Sequence, residues 1–244
     1  MIYCNGCSFT EGFNLDNSAN SWPGILGQQL NQSVINQASG GGSNDRIYRT
    51  TIEYCNTHTP DYVIVGWTQI LRNELSHAKG TYLKLAPNTH ASDDSELADD
   101  LKPIHKFWIQ NIRNEYINFR NLVHYVLHLQ DYFKSKQISY KFFTALGLPY
   151  LQYFLQESAQ AFELAQQSFH WKQYHIDAEL EPKETHVKYQ ELVELVKKID
   201  LNNWIMHNST MYEYLKKNNY KFDQTQHPDV DGYAQWAKVI QNTL

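Results

Sequence analysis

Residues 61–66, Asp61-Tyr62-Val63-Ile64-Val65-Gly66, constrain the fold of this chain more than any other segment. A strand with one face in water alternates polar and apolar residues. A nearly unbroken apolar run requires burial on both faces, as in a parallel sheet covered by helices. The flanking sequence supports that reading. Met1-Ile2-Tyr3-Cys4 and Ser33-Val34-Ile35-Asn36 read as earlier strands, and Ile138–Leu146 as a later one. Helical patterns lie between them, at Trp22–Leu30 behind the N-cap candidate Ser21, at Asn44–Tyr54, and over roughly Phe107–Lys136. Further helical patterns fill Tyr150–Gln167, Tyr189–Lys198, Thr210–Asn218 and Gly232–Gln241. Strands alternating with helices imply right-handed parallel crossovers, hence an α/β three-layer sandwich. No internal repeat or linker interrupts residues 1–244, which read as one domain. A lid or helical insertion is expected around residues 76–136, where Gly, Pro and Asn accompany an acidic cluster of Asp93, Asp94, Glu96, Asp99 and Asp100.

The composition, 42% hydrophobic and 19% charged over 244 residues, is that of a folded protein with a sizeable core. A formal charge of −5 leaves no basic footprint, so nucleic acid is not an expected partner. No apolar run approaches the ~18 residues needed to cross a bilayer, so no membrane is expected either. The N-terminus lacks the charged and apolar regions of a secretion signal. Cys4, Cys7 and Cys55 are too few for a disulfide framework. Synthesis in the cytoplasm is the expectation, and a virion-associated protein would carry the same signature.

In a doubly wound sheet, ligands bind beyond the carboxyl ends of the strands. The loops at that rim carry residue types suited to acyl transfer. Ser8 follows the first strand on a loop preceded by Gly6. Gly41 lies in Ser39-Gly40-Gly41-Gly42-Ser43, where glycines permit the positive φ of an anion-binding nest. Thr68 follows the third strand, and His227 stands in Gln226-His227-Pro228 before the last helix. A serine needs an adjacent base to become nucleophilic, and a tetrahedral intermediate needs preorganised donors. Arg72 and Asn44 are candidates for substrate contact, although Arg72 has a competing role in a structural ion pair with Glu74.

Four segments together resemble the SGNH/GDSL hydrolases. Gly6-Cys7-Ser8-Phe9-Thr10 is similar to the first block of that family, usually Gly-Asp-Ser. Asn36–Asp45 resembles the second, with Gly41 in place of the oxyanion-hole glycine. Val65-Gly66-Trp67-Thr68 resembles the third, usually Gly-x-Asn, and His227–Ala237 the last, in which Asp-x-x-His supplies acid and base. The blocks occur in family order, and the long helical insertion with Asn- and Gln-rich composition is similar to phage-encoded members. The resemblance implies a flavodoxin-like parallel sheet, hydrolysis of an acyl ester such as an O-acylated glycan, no metal and no organic cofactor. Ser8 would be the nucleophile and His227 the base, with an oxyanion hole of Ser8, Gly41 and Thr68. The chain departs from the pattern at Cys7, at Thr68, and at Gln224, which stands where the acid is usual. Asp223, one position away, is the candidate for orienting the imidazole; Asp229 and Asp231 more naturally serve the last helix. These departures sustain an alternative, a non-catalytic or attenuated binding or structural module that keeps the fold. Cys4-x-x-Cys7 and the His124/His128 pair have metal-ligand spacing but no complement of further ligands.

Overall fold

The computed structural model describes residues 1–76, 82–85, 103, 104, 106–108, 115–157 and 182–244. The acidic cluster of residues 93–100 and much of the expected lid lie outside the described residues, as does the end of the helix expected to reach Gln167.

Strands β1 (Ile2–Asn5), β2 (Val34–Asn36) and β3 (Tyr62–Trp67) are joined by helices α1 (Ser8–Glu11), α2 (Trp22–Leu30) and α3 (Asn44–Thr57). A ribbon of two antiparallel strands, β4 (Asn73–Ser76) and β5 (Tyr82–Leu85), comes next. Helix α4 (Glu115–Lys136) then leads into β6 (Ser139–Thr144). The chain ends through α5 (Tyr150–Leu155), α6 (Pro182–Val196), α7 (Met211–Lys217) and α8 (Val230–Gln241). The main sheet has the order β2-β1-β3-β6, parallel throughout, with Cys4 opposite Ile64 and Val65 opposite Phe142. The edge of β6 is covered where Ile205 N–H donates to Phe142 O at 2.7 Å.

The period of two along each strand divides the core between the faces of the sheet. Tyr3, Val63, Val65, Tyr140 and Phe142 pack with Ile47 of α3, Val126 and Phe133 of α4, and Val193 of α6. Ile2, Cys4, Ile64 and Phe143 pack with Trp22 of α2, Met211 of α7, and Tyr233 and Trp236 of α8. The result is the three-layer α/β sandwich expected from the unbroken apolar run in β3. Helix ends follow local chemistry: Ser43 caps α3 through Arg46 N–H, Asp229 caps α8 through Gly232 N–H at 2.9 Å, and Thr210 with Glu213 forms a capping box on α7.

Two differences from the sequence reading bear on the rim. Ser8 is not on an open loop but opens a single helical turn that closes at Gly12 in the left-handed region. The β4–β5 ribbon stands in part of the expected lid. Its strands are only four residues each, too short to carry a clear periodic signal in the sequence.

Candidate active site

Because β1, β2 and β3 run in one direction, the loops carrying Ser8, Gly41 and Thr68 leave the same rim. Asn5, fully buried at the end of β1, holds the first of these loops. Its Nδ2 donates to Thr50 Oγ1 and Thr51 Oγ1 on α3, while its Oδ1 accepts from Gly6 N–H at 2.9 Å. Gly6 has no room for a side chain, since a Cβ would lie 2.2 Å from Thr10 Oγ1 and 3.0 Å from Gly66 O. The turn beginning at Ser8 can therefore press directly onto the sheet. At the first position of that turn, the Ser8 N–H has no intrahelical acceptor.

Ser8 is 5% exposed, and its Oγ lies 2.8 Å from His227 Nε2. The imidazole is flanked by the rings of Phe9 and Phe13, with centroids 5.0 Å away in each case. Burial holds the His227 pKa below the ordinary histidine value; Asp223 pulls it up, and the charge of Arg72 pushes it further down. At neutral pH the ring is uncharged, as a base must be.

Asp223 does not touch the imidazole, a correction to the expected carboxylate–imidazole contact. Thr225 stands between them: its Oγ1 is 2.8 Å from His227 Nδ1 and 2.7 Å from Asp223 Oδ1. The cause is the extra residue between Asp223 and His227. Asp223 N–H donates to His227 O, and Gln226 N–H to Asp223 O. Gln226 takes a φ of 64°, and Phe222 pairs with Pro228 to close the loop. Inside this closed loop the Asp223 carboxylate accepts the N–H groups of Thr225 and His227, while Asn14 Nδ2 holds its other oxygen at 2.9 Å. Burial works to raise the Asp223 pKa, but hydrogen bonds from Asn14, His227 N–H and Thr225 outweigh it and hold the group at about 2. Asp223 is thus ionised throughout the physiological range. One proton arrangement satisfies every group: Ser8 O–H donates to Nε2, Nδ1–H to Thr225 Oγ1, and Thr225 O–H to Asp223.

Gly41 adopts a φ of 70°, where a side chain is strained, and the neighbouring Gly40 carbonyl accepts Lys84 Nζ at 2.6 Å. Thr68 is 1% exposed, and its Oγ1 is buried without a hydrogen-bond partner. Asn44, expected to contact substrate, is instead a brace. It accepts Thr68 N–H at 2.9 Å and donates to Thr68 O at 3.1 Å, which fixes the loop and occupies its amide. The expected Arg72–Glu74 pair does not form either. Glu74 bonds Arg49 Nη2 at 3.2 Å, while Nε and Nη1 of Arg72 are buried and make no hydrogen bond. Among the described residues, no three His, Cys, Asp or Glu side chains gather as a metal-ligand group, and His128 is engaged by Tyr48. No helix among them is long and apolar enough to cross a membrane.

The electrostatics give a pH prediction. A process that needs neutral His227 fails as the ring gains a proton, so with a lowered pKa its acid limb will have a midpoint below 6.5. Arg72→Gln removes a charge that opposes protonation, so the limb will move to higher pH. Asp223→Asn will move it lower. A rate profile between pH 4 and 8 measures both; a limb that moves down in Arg72→Gln or up in Asp223→Asn would contradict this assignment.

Solved structures of α/β hydrolases are similar in fold. An alpha/beta hydrolase enzyme from the metagenome of Lake Arreo, Spain, gives a TM-score of 0.50 at 9% identity, covering 99% of this chain and 93% of that one. A member of the lipolytic G-D-S-L family from Veillonella parvula DSM 2008 gives 0.46 at 13% identity, covering 99% and 96%. An acetyl xylan esterase gives 0.49 at 10% identity, covering 100% of both chains. No curated protein matches in sequence. Residues 5–159, well over half of the chain, match the model of a family of unknown function, and the chain belongs to that family, DUF6071.

Proposed function

We propose that the chain is a serine ester hydrolase with Ser8 as nucleophile and His227 as general base. The observation that carries this reading is the 2.8 Å contact between Ser8 Oγ and His227 Nε2, at the rim where a doubly wound sheet binds its ligands. In the first step Ser8 Oγ bonds to the ester carbonyl carbon, and its proton passes to Nε2. The carbon–alkoxy bond then breaks, and the alcohol leaves with that proton. A water molecule attacks the acyl-serine, again losing its proton to His227. The carboxylic acid departs as Ser8 recovers its own. Thr225, backed by Asp223, keeps Nδ1–H directed away from Ser8 and spreads the charge of the transient imidazolium.

The negative oxygen of the intermediate is met, in this reading, by the N–H groups of Ser8 and Gly41 and by Thr68 Oγ1. Supporting it are the unpaired position of the Ser8 N–H, the left-handed backbone at Gly41 and the unpartnered hydroxyl of Thr68. None of these steps calls on a cofactor.

A fluorophosphonate probe will label the wild-type protein and not Ser8→Ala, and the wild type will hydrolyse p-nitrophenyl acetate. A folded wild-type protein that neither labels nor turns over this ester would overturn the reading and leave a binding module on the same fold.

A further inference from the structure

Arg72 is a half-buried charged side chain with no hydrogen-bond or ion-pair partner among the described residues. Its Nε and Nη1 are buried without a hydrogen bond. A buried charge without a partner is costly, and a guanidinium offers a planar fork matched to carboxylate. Among the described residues, the acids of the neighbouring segments are engaged elsewhere. Glu74, two residues on, is bonded to Arg49, and Asp223 is occupied by Thr225, Asn14 and His227. Glu11 has an unpaired oxygen of its own, but that oxygen packs against Gly40 and forms no ion pair with Arg72.

The position of Arg72 is as telling as its lack of partners. It closes the turn after β3, where its N–H donates to Gln69 O at 3.2 Å, four residues beyond Thr68. Its charge is felt at His227. Two more cations stand on the adjoining elements: Lys84 reaches Gly40 O, and Arg46 donates to Gln37 O with its Nη1 unpaired.

We infer that Arg72 receives a carboxylate carried by the ester substrate, so that the enzyme acts on anionic esters. This inference rests on the hydrolase reading for its reaction and on the unpaired guanidinium for its specificity. A seated carboxylate also offsets the charge that Arg72 exerts on the imidazole, so the base strengthens when the right substrate is bound.

The test uses two pairs of esters that place the anion on either side of the scissile bond. 4-Nitrophenyl hydrogen glutarate against 4-nitrophenyl valerate reads the acyl side; 3-acetoxybenzoate against phenyl acetate reads the alcohol side. For one of the pairs, wild-type kcat/KM will favour the anionic member by about 10- to 100-fold, the worth of hydrogen bonds to a charged group. Arg72→Gln will bring that ratio close to one, and Arg72→Lys will keep part of it. Ratios near one for both pairs in the wild type, or a preference that survives in Arg72→Gln, would overturn the inference while fluorophosphonate labelling leaves the hydrolase reading standing. A binding measurement separates the two failures from the other side. Glutarate or 3-hydroxybenzoate, the products of the anionic esters, will raise the melting temperature of Ser8→Ala but not of Ser8→Ala/Arg72→Gln. No difference between these proteins would dismiss the carboxylate site whatever the outcome with esters.

Discussion

Replacing His227 with alanine will lower turnover of an activated ester by roughly 10⁴-fold or more, and Ser8→Ala will do the same. The double variant will be no worse than either single one. The two side chains form one device: without the ring the Ser8 hydroxyl stays protonated, and without the hydroxyl the ring has nothing to activate. Ser8 Oγ and His227 Nε2 are already at hydrogen-bond distance, so no rearrangement is required to join them. The measurement is kcat on p-nitrophenyl acetate, with melting temperature as the control for folding. Losses that multiply in the double variant would mean that the residues act independently, and the dyad would have to be abandoned.

Thr225→Val will lower kcat by about 10²-fold with little change in KM, and Thr225→Ser will restore most of it. Valine keeps the shape of threonine but removes the hydroxyl that both accepts from Nδ1 and donates to Asp223. The imidazole then loses its fixed tautomer and the link to negative charge that steadies its protonated form. A directly paired acid can be worth about 10⁴-fold. The smaller figure applies here because Thr225 is exposed and water can partly replace it. Asp223→Ala will lose both activity and stability, since it removes the acceptor of the Thr225 and His227 N–H groups along with the charge. A Thr225→Val protein within threefold of wild type would show that the ring is oriented by something other than this hydroxyl.

The centre of the sheet was legible in the sequence because burial on both faces gives β3 an apolar run of strand length rich in β-branched residues. The run from Tyr62 to Val65 could hardly be anything but an inner strand. Helix α2 matched its expected limits, since Ser21, a proline in the first turn and the apolar spacing all agree. Ser8 and His227 were legible through the blocks around them. What remained hidden depends on partners distant in the chain. Arg72 and Glu74 are two apart and looked like a local pair, yet Glu74 finds Arg49 on a helix packed from the other side. Asn44 follows a glycine loop as a ligand-facing residue would, but helix α3 begins there and turns its amide to Thr68. Thr225 gave no signal at all. Its role exists only because Gln226 bends the chain through a left-handed conformation, which brings the hydroxyl between an acid and a base that would otherwise meet.

The Ser8–His227 contact joins residues 219 positions apart. The element that follows His227, α8, is seated by Trp236 against Phe143, and α2 by Trp22 against the same ring. These two helices on one face of the sheet therefore share one support, the Phe143 ring of β6. A chain cut short before His227 would hold Ser8 without its ring partner. Under the hydrolase reading proposed above, a polypeptide still lacking its last helix would therefore be inactive toward esters.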